Sequence, residues 1–441
     1  MDMRRGPATL LRAVAVLLCL SLLTCVLVSC GKEESGFILH EEPQEPQVTL
    51  TFFGNINAAS KMPALEALIT EYMALHPEVN IVYEGIDPSL SVDYNTLLTK
   101  RLSTGNGDDI FFSYAGFLPT LVENGYLEPL DTLDSWSAFD EGEKEFLSSQ
   151  GHYYGIPMER TVIGLYCNLD VLHAYALEPP ETYEDFLQCC ATLKDAGLTP
   201  IAASQLLPFS GYAYADGLAR IYHSENTKQL CSELSDQTKK YSTYFQPGFA
   251  QLQKMLDLGY IDREAALSHD TTAQAEQAFA DGQSAFLLGA SDLNASIISD
   301  NPTLQYAVYP IPVSEGESVV LSAPDHLLCV NAAGAHKEIA LDFVAFCTQR
   351  ENIEHYVAQQ GSVSPLAGSE ISQEYLAPVA QLLAQGKALP SVNDQLTARL
   401  QNWVQQAGLT MLQGDTPAEA ADTLDSLIPV PKLTQGGEAT P

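Results

Sequence analysis

The sequence predicts an α/β fold in which sheets are covered by helices. Three observations carry that expectation. Apolar periodicity alternates between about two and about 3.6 residues from Val48 to Tyr114, the βαβαβ pattern of a parallel sheet. The same alternation resumes between Gly151 and Asn331. The final hundred residues then read as helix alone.

Taken in order, the first strand is VTLTFFGN, residues 48–55, where Val48, Leu50 and Phe52 alternate with threonines. In MPALEALITEYMALHP, residues Met62, Leu65, Leu68, Ile69, Tyr72 and Met73 stand at helical spacing, and His76-Pro77 ends the run, since a residue before proline avoids the α region. VNIVYE, 79–84, is the second strand. Tyr94, Leu97, Leu98 and Leu102 mark a second helix, and DIFFSY, 109–114, is the third strand.

Further along, strand character runs from Thr161 to Cys167. Thr182, with Asp185 three residues on, opens a helix whose stripe is Phe186, Leu187, Cys190 and Leu193 and whose end is Gly197. Pro200–Ala203 is the next strand, helices follow at about 247–258 and 272–281, and 285–289, 305–312 and 326–331 are short strands. A helix from Lys337 to Gln349 precedes the helical end, expected at about 351–360, 373–385, 393–412 and 417–427.

The front of the chain has a different chemistry. Arg4, Arg5 and Arg12 precede 17 uncharged residues, Ala13–Ser29. That is a secretory signal pattern, and it is short for a span through ~30 Å of hydrocarbon, which takes about 20 residues. The run ends Leu27-Val28-Ser29-Cys30-Gly31, which resembles the lipobox of bacterial lipoproteins. The resemblance implies cleavage before Cys30 and lipidation of its thiol. More than one acyl chain anchors firmly, at about 0.8 kcal/mol per buried CH₂. The acidic, proline-containing stretch 31–47 is expected to be a flexible spacer, and 431–441 a disordered tail.

Of 441 residues, 21 are basic and 56 acidic. Removing a signal that holds Arg4, Arg5, Arg12 and Asp2 leaves 18 against 55, a net charge of −37. Phosphate backbones repel such a body, so nucleic acid is not an expected partner. Cys167, Cys189, Cys190, Cys231, Cys329 and Cys347 include no C-x-x-C pair and sit in apolar patterns, so they are expected to be buried hydrophobes. G-x-S-x-G, H-E-x-x-H and G-x-x-x-x-G-K-[ST] are all absent, the histidines lack metal-ligand spacing, and neither catalysis nor a cofactor is expected.

Several passages together resemble one family, the extracellular solute-binding proteins of bacterial ABC sugar importers related to maltose-binding protein (family 1). They are VTLTFFGN, LITEYMALHPEVNIVYE, LSTGNGDDIFFSYAGFLPTLVENGYLEPL, YYGIPMERTVIGLYCNLDVL, AFADGQSAFLLG, YPIP and GSVSPLAG, matching in order from about Val48 to Val430. The resemblance implies a two-lobed periplasmic-binding-protein-like fold (type II) whose lobes close on a small solute. The N-terminal lobe is expected at 48–157 plus 325–362 and the C-terminal lobe at 160–322 plus 365–430. The implied partners are ABC permease subunits and the membrane, the latter through the lipid on Cys30; the body itself is expected to be a monomer on the outer face of the cell membrane.

A sugar site needs flat aromatic platforms and planar polar groups, and ligands in open α/β sheets sit beyond the carboxyl ends of strands. The candidates are therefore Phe53 and Asn55 after the first strand, Ser113 and Tyr114 after the third, and Glu159 and Arg160 at the first crossing. Phe209, Tyr212, Tyr214 and Asp216 follow the strand at 200–203, Ser291, Asp292 and Asn294 follow Gly289, and Trp403 lies on a late helix. After the signal only Trp136 and Trp403 are tryptophans. Family members commonly place tryptophan after the first strand and after the glycine matched by Gly289; here stand Phe53-Gly54-Asn55 and Ala290-Ser291-Asp292. The acidic candidates Glu159, Asp216 and Asp292 suit a cation, so a peptide, a polyamine or another small organic solute is the alternative cargo. A membrane-anchored carbohydrate-active enzyme is a more distant one.

Overall fold

The computed structural model describes residues 36–38, 48–56, 62–86, 93–360, 362–391, 396 and 399–429. The signal, Cys30 and the 431–441 tail lie outside them. The described strands are β1 Gly36–Ile38, β2 Val48–Gly54, β3 Val79–Ile86, β4 Ile110–Ser113, β5 Ser148–Ser149, β6 His152–Tyr153, β7 Ile156–Asn168, β8 Ile201–Ala202, β9 Phe286–Ala290, β10 Tyr306–Tyr309, β11 Leu321–Val330 and β12 Leu389–Pro390. One sheet runs β1-β3-β2-β4-β11-β7-β9-β8, with β10 on β7 and β12 on β11.

The parallel β3-β2-β4 unit forms as the alternation predicts, Val48 facing Val79 and Phe52 facing Ile110. Helix Met62–Leu75 makes the first crossover, burying Leu65, Leu68, Ile69 and Tyr72. Asp93 caps helix Tyr94–Ser103 by accepting from Thr96 N. The capping box at Thr182 and Asp185 is formed on both sides. The spacer does not stay wholly free of the body: Gly36–Ile38 pairs antiparallel with β3, an edge whose unpaired amides and carbonyls recruit extended chain.

β7 and β11 are long enough to belong to two bodies. They pair antiparallel from Leu321 with Ile163 to Leu328 with Ile156. One core holds Ile156 and Met158 at the start of β7 and Leu327–Val330 at the end of β11, together with β2, β3 and β4. The second core holds Ile163, Leu165 and Cys167 from β7, Leu321 from β11, and helices including Leu207–Tyr222, Ser242–Asp257, Leu400–Gln413 and Pro417–Leu427. In the second body, on the other face of the same sheet, a smaller cluster gathers Val162, Tyr166, Leu287, Val308 and Val320. Between the cores the chain crosses three times: at Glu159–Thr161, at Ala323–Asp325, and at Val363, which bridges to Arg160. The six cysteines among the described residues are buried and unbridged.

Candidate ligand-binding site

A cavity of about 1010 Å³ opens between the two bodies. The first body contributes Tyr114 at the carboxyl end of β4, with Phe117, Asn95 and the cap residue Asp93. The second contributes Tyr214 and Tyr222 from helix Leu207–Tyr222, Ser391 after β12, and Arg399, Asn402, Trp403 and Gln406 from the start of helix Leu400–Gln413. Trp403 is half-buried, its inner edge packed on the second core, which leaves a face for a ligand. The walls thus offer aromatic rings and amide groups from both sides, the chemistry that holds a polyhydroxylated ring.

Tyr114 is fixed from below. Its hydroxyl receives a hydrogen bond from Asn55 Nδ2, and its ring meets Tyr94 edge-on at 6.2 Å. Burial, then the fields of Asp325, Asp93 and Asp292, hold that hydroxyl protonated well above the usual tyrosine range. It is therefore a hydrogen-bond donor at every physiological pH. Opposite, the Tyr214 hydroxyl donates to the Ser391 carbonyl, which ties the helix to the segment after β12.

Of the residues expected at the site, Tyr114, Tyr214 and Trp403 line this cavity, with Asn55 directly behind Tyr114. The others are placed differently, each for a local reason. Phe53 is fully enclosed, stacked on Tyr94 at 5.1 Å with the Arg101 guanidinium 4.0 Å over its ring. Ser113 is the last residue of β4, buried and paired with Leu327. Phe209 and Tyr212 face the second core, Tyr212 stacked on Phe186 at 5.7 Å. Asp216 is buried, accepting from Arg220 Nε at 2.9 Å and from Ser314 N at 2.8 Å; it fastens a loop. Ser291 Oγ accepts from Val162 N across the sheet. Asn294 accepts from the Tyr306 hydroxyl, while Asp292 is exposed.

Glu159 and Arg160, expected together, are separated because adjacent strand residues face opposite ways. Glu159 is buried with Nδ1 of His326 2.5 Å from its Oε1. Arg160 instead enters a second cavity of about 980 Å³, lined by Glu143, Phe146, Ser322, Val363 and Leu383 among others. Sequence reasoning missed Asp93, Tyr222, Arg399 and Asn402. Asp93 carried a signal as a helix cap; the rest lie near Trp403 or on a helix that periodicity did not reveal.

A sheet shared by two α/β bodies, crossed three times, with an aromatic cavity between them, defines a two-lobed solute-binding protein. The model of the bacterial extracellular solute-binding protein family matches residues 57–354, and the chain belongs to that family. It is 22% identical over 347 residues, 76% of each chain, to the melibiose/raffinose/stachyose-binding protein MelE of Bacillus subtilis. It is 21% identical over 390 residues to the multiple sugar-binding protein of Streptococcus mutans, covering 84% of this chain and 86% of that one. Among solved structures, a Bacillus licheniformis sugar transporter in complex with stachyose superposes with a TM-score of 0.68 at 18% identity, over 86% of this chain and 99% of that one.

Proposed function

We propose that the chain is the capture component of an ABC importer, taking a sugar or oligosaccharide between its lobes and handing it to a membrane permease. The observation that carries this reading is the cavity of about 1010 Å³ walled by Tyr114 from one lobe and Tyr214 and Trp403 from the other. The sugar-binding relatives support the same class of cargo. A solute on one wall gains its second set of contacts only when the lobes approach, so binding shifts the population toward a closed form. Its role is capture without turnover.

Family membership supports action outside the cytoplasm. Lipidation of Cys30 fits that placement: a receptor tethered beside its permease acts at a raised effective concentration. The lobes are proposed as 48–157 plus 325–362 and 160–322 plus 365–430.

A thermal-shift screen over melibiose, raffinose, stachyose and malto-oligosaccharides tests the reading, because a ligand that binds only the native state raises the melting temperature. A shift with at least one of them, without hydrolysis, is expected. A second reading has its own observation: the carboxylate of Asp93 lines the cavity beside the rings of Tyr114 and Trp403, a pairing that suits a polyamine or another organic cation. A shift with spermidine and none with any sugar would select it.

A further inference from the structure

Arg160 contacts several elements of the crossing at once. Its backbone pairs with the third crossing, Arg160 N donating to Val363 O at 2.7 Å and Val363 N donating back at 3.2 Å. Its Nε donates to Ser322 Oγ on β11 at 3.2 Å. Its Nη1 forms an ion pair with Glu143 Oε2. Glu143 belongs to helix Glu141–Leu147, which is held by the first core through Leu147, and Glu143 is 5% exposed. Backbone and guanidinium together, Arg160 therefore joins the crossing segments to the N-terminal lobe.

The contacts continue toward the ligand cavity. Ser391 N donates to Ser322 O at 3.0 Å, and the Tyr214 hydroxyl donates to Ser391 O. Tyr214 and Ser391 both line the cavity between the lobes, whereas Arg160 lies on its own cavity behind the crossing. Packed and hydrogen-bonded chains of this kind transmit a displacement when the elements they join have two arrangements.

We propose that Arg160 is a positioning residue: its ion pair with Glu143 fixes the resting angle of the two lobes and, through Ser322 and Ser391, the placement of the Tyr214 wall, without touching the solute. The proposal rests on the capture reading above. A solute contact is made by one wall with one group of the ligand, so losing it changes affinities unequally across a panel of sugars. A positioning pair acts on the lobe equilibrium common to every ligand, so losing it multiplies every dissociation constant by the same factor.

The test uses the full chain in detergent with spin labels on cysteines introduced at two exposed positions, Leu75→Cys on one lobe and Leu258→Cys on the other. Arg160→Met and Glu143→Gln are each expected to broaden the ligand-free interlobe distance distribution. The double variant is expected to be no broader than either single, because partners in one contact are not additive. Arg160→Lys is expected to restore part of the narrow distribution. For the sugars that bind, calorimetry is expected to give dissociation constants raised by a common factor of about five, at the low end of typical couplings. An unchanged distance distribution overturns the proposal, as do unequal factors between sugars, which would place Arg160 on the ligand. If Arg160→Met does not fold, Glu143→Gln carries both readouts. If no sugar binds the wild type, the sugar reading fails while the ligand-free distances still decide the role of Arg160.

Discussion

Glu159 and His326 meet in the buried centre of the crossing, Oε1 to Nδ1 at 2.5 Å, because the backbone at His326 is left-handed with φ 44°. Neighbours on a regular strand face opposite ways. Yet Asp325 accepts from Thr161 Oγ1 at 2.9 Å while His326 reaches Glu159, and Thr161 and Glu159 share one face of β7. Strained backbone of this kind persists only where its surroundings hold it.

Replacing His326 separates the two components. His326→Asn keeps a polar side chain that tolerates the left-handed region; His326→Ala keeps neither advantage. Denaturant midpoints are expected to fall in the order wild type, Asn, Ala, with Ala about 1–3 kcal/mol below wild type. An alanine variant as stable as the asparagine one would remove the strain argument.

Trp403→Ala is expected to weaken sugar binding by about 1.5 kcal/mol, roughly tenfold, through the lost stacking face. Trp403→Phe should retain most of it. Calorimetry on folded variants checks this, and equal affinities would move the sugar off this wall.

Gly248 lets helices Leu207–Tyr222 and Ser242–Asp257 approach closely. A Cβ there would lie 2.7 Å from Ala213 Cα and 2.8 Å from its carbonyl oxygen, so the helices must separate. Gly248→Ala is expected to cost about 1–3 kcal/mol, the range for overpacking. A melting temperature equal to wild type would contradict the contact.

Glu143 gives a pH signature. Burial raises its carboxyl above the usual glutamate range, and the Arg160 guanidinium only partly opposes this. A carboxyl raised on folding contributes stability at low pH that is lost as pH rises through its folded value. Wild type should therefore gain on Glu143→Gln as pH falls from neutral toward 4. A stability difference that stays flat, or runs the other way, across that range would show that the ion pair outweighs burial.

Much of the fold was legible because its elements are locally consistent. The β2, β3 and β4 alternation, the His76-Pro77 stop and the Thr182 capping box each carry their own signal in a few residues. Helix Leu207–Tyr222 was not legible. It is buried on nearly every side, from Pro208 to Ala219, so it shows no stripe, and its aromatic rings and aspartate stood out only as following the strand at 200–203. That is why Phe209, Tyr212 and Asp216 were expected at the cavity, while of the four candidates on this helix Tyr214 alone lines it. Glu159 and Arg160 were found at the crossing by position, but their opposite faces follow only from strand geometry. The polar wall at Arg399 and Asn402 carries no periodicity, since a cavity formed between lobes draws on residues far apart in sequence.

The account turns on a solute held between two lobes that close. Interlobe distances between labels at positions 75 and 258 of the full chain, measured with and without a sugar that gives binding heat, test it most directly. The account predicts a shorter and narrower distance in the bound form. A sugar that binds with measurable heat while that distance stays unchanged would contradict it.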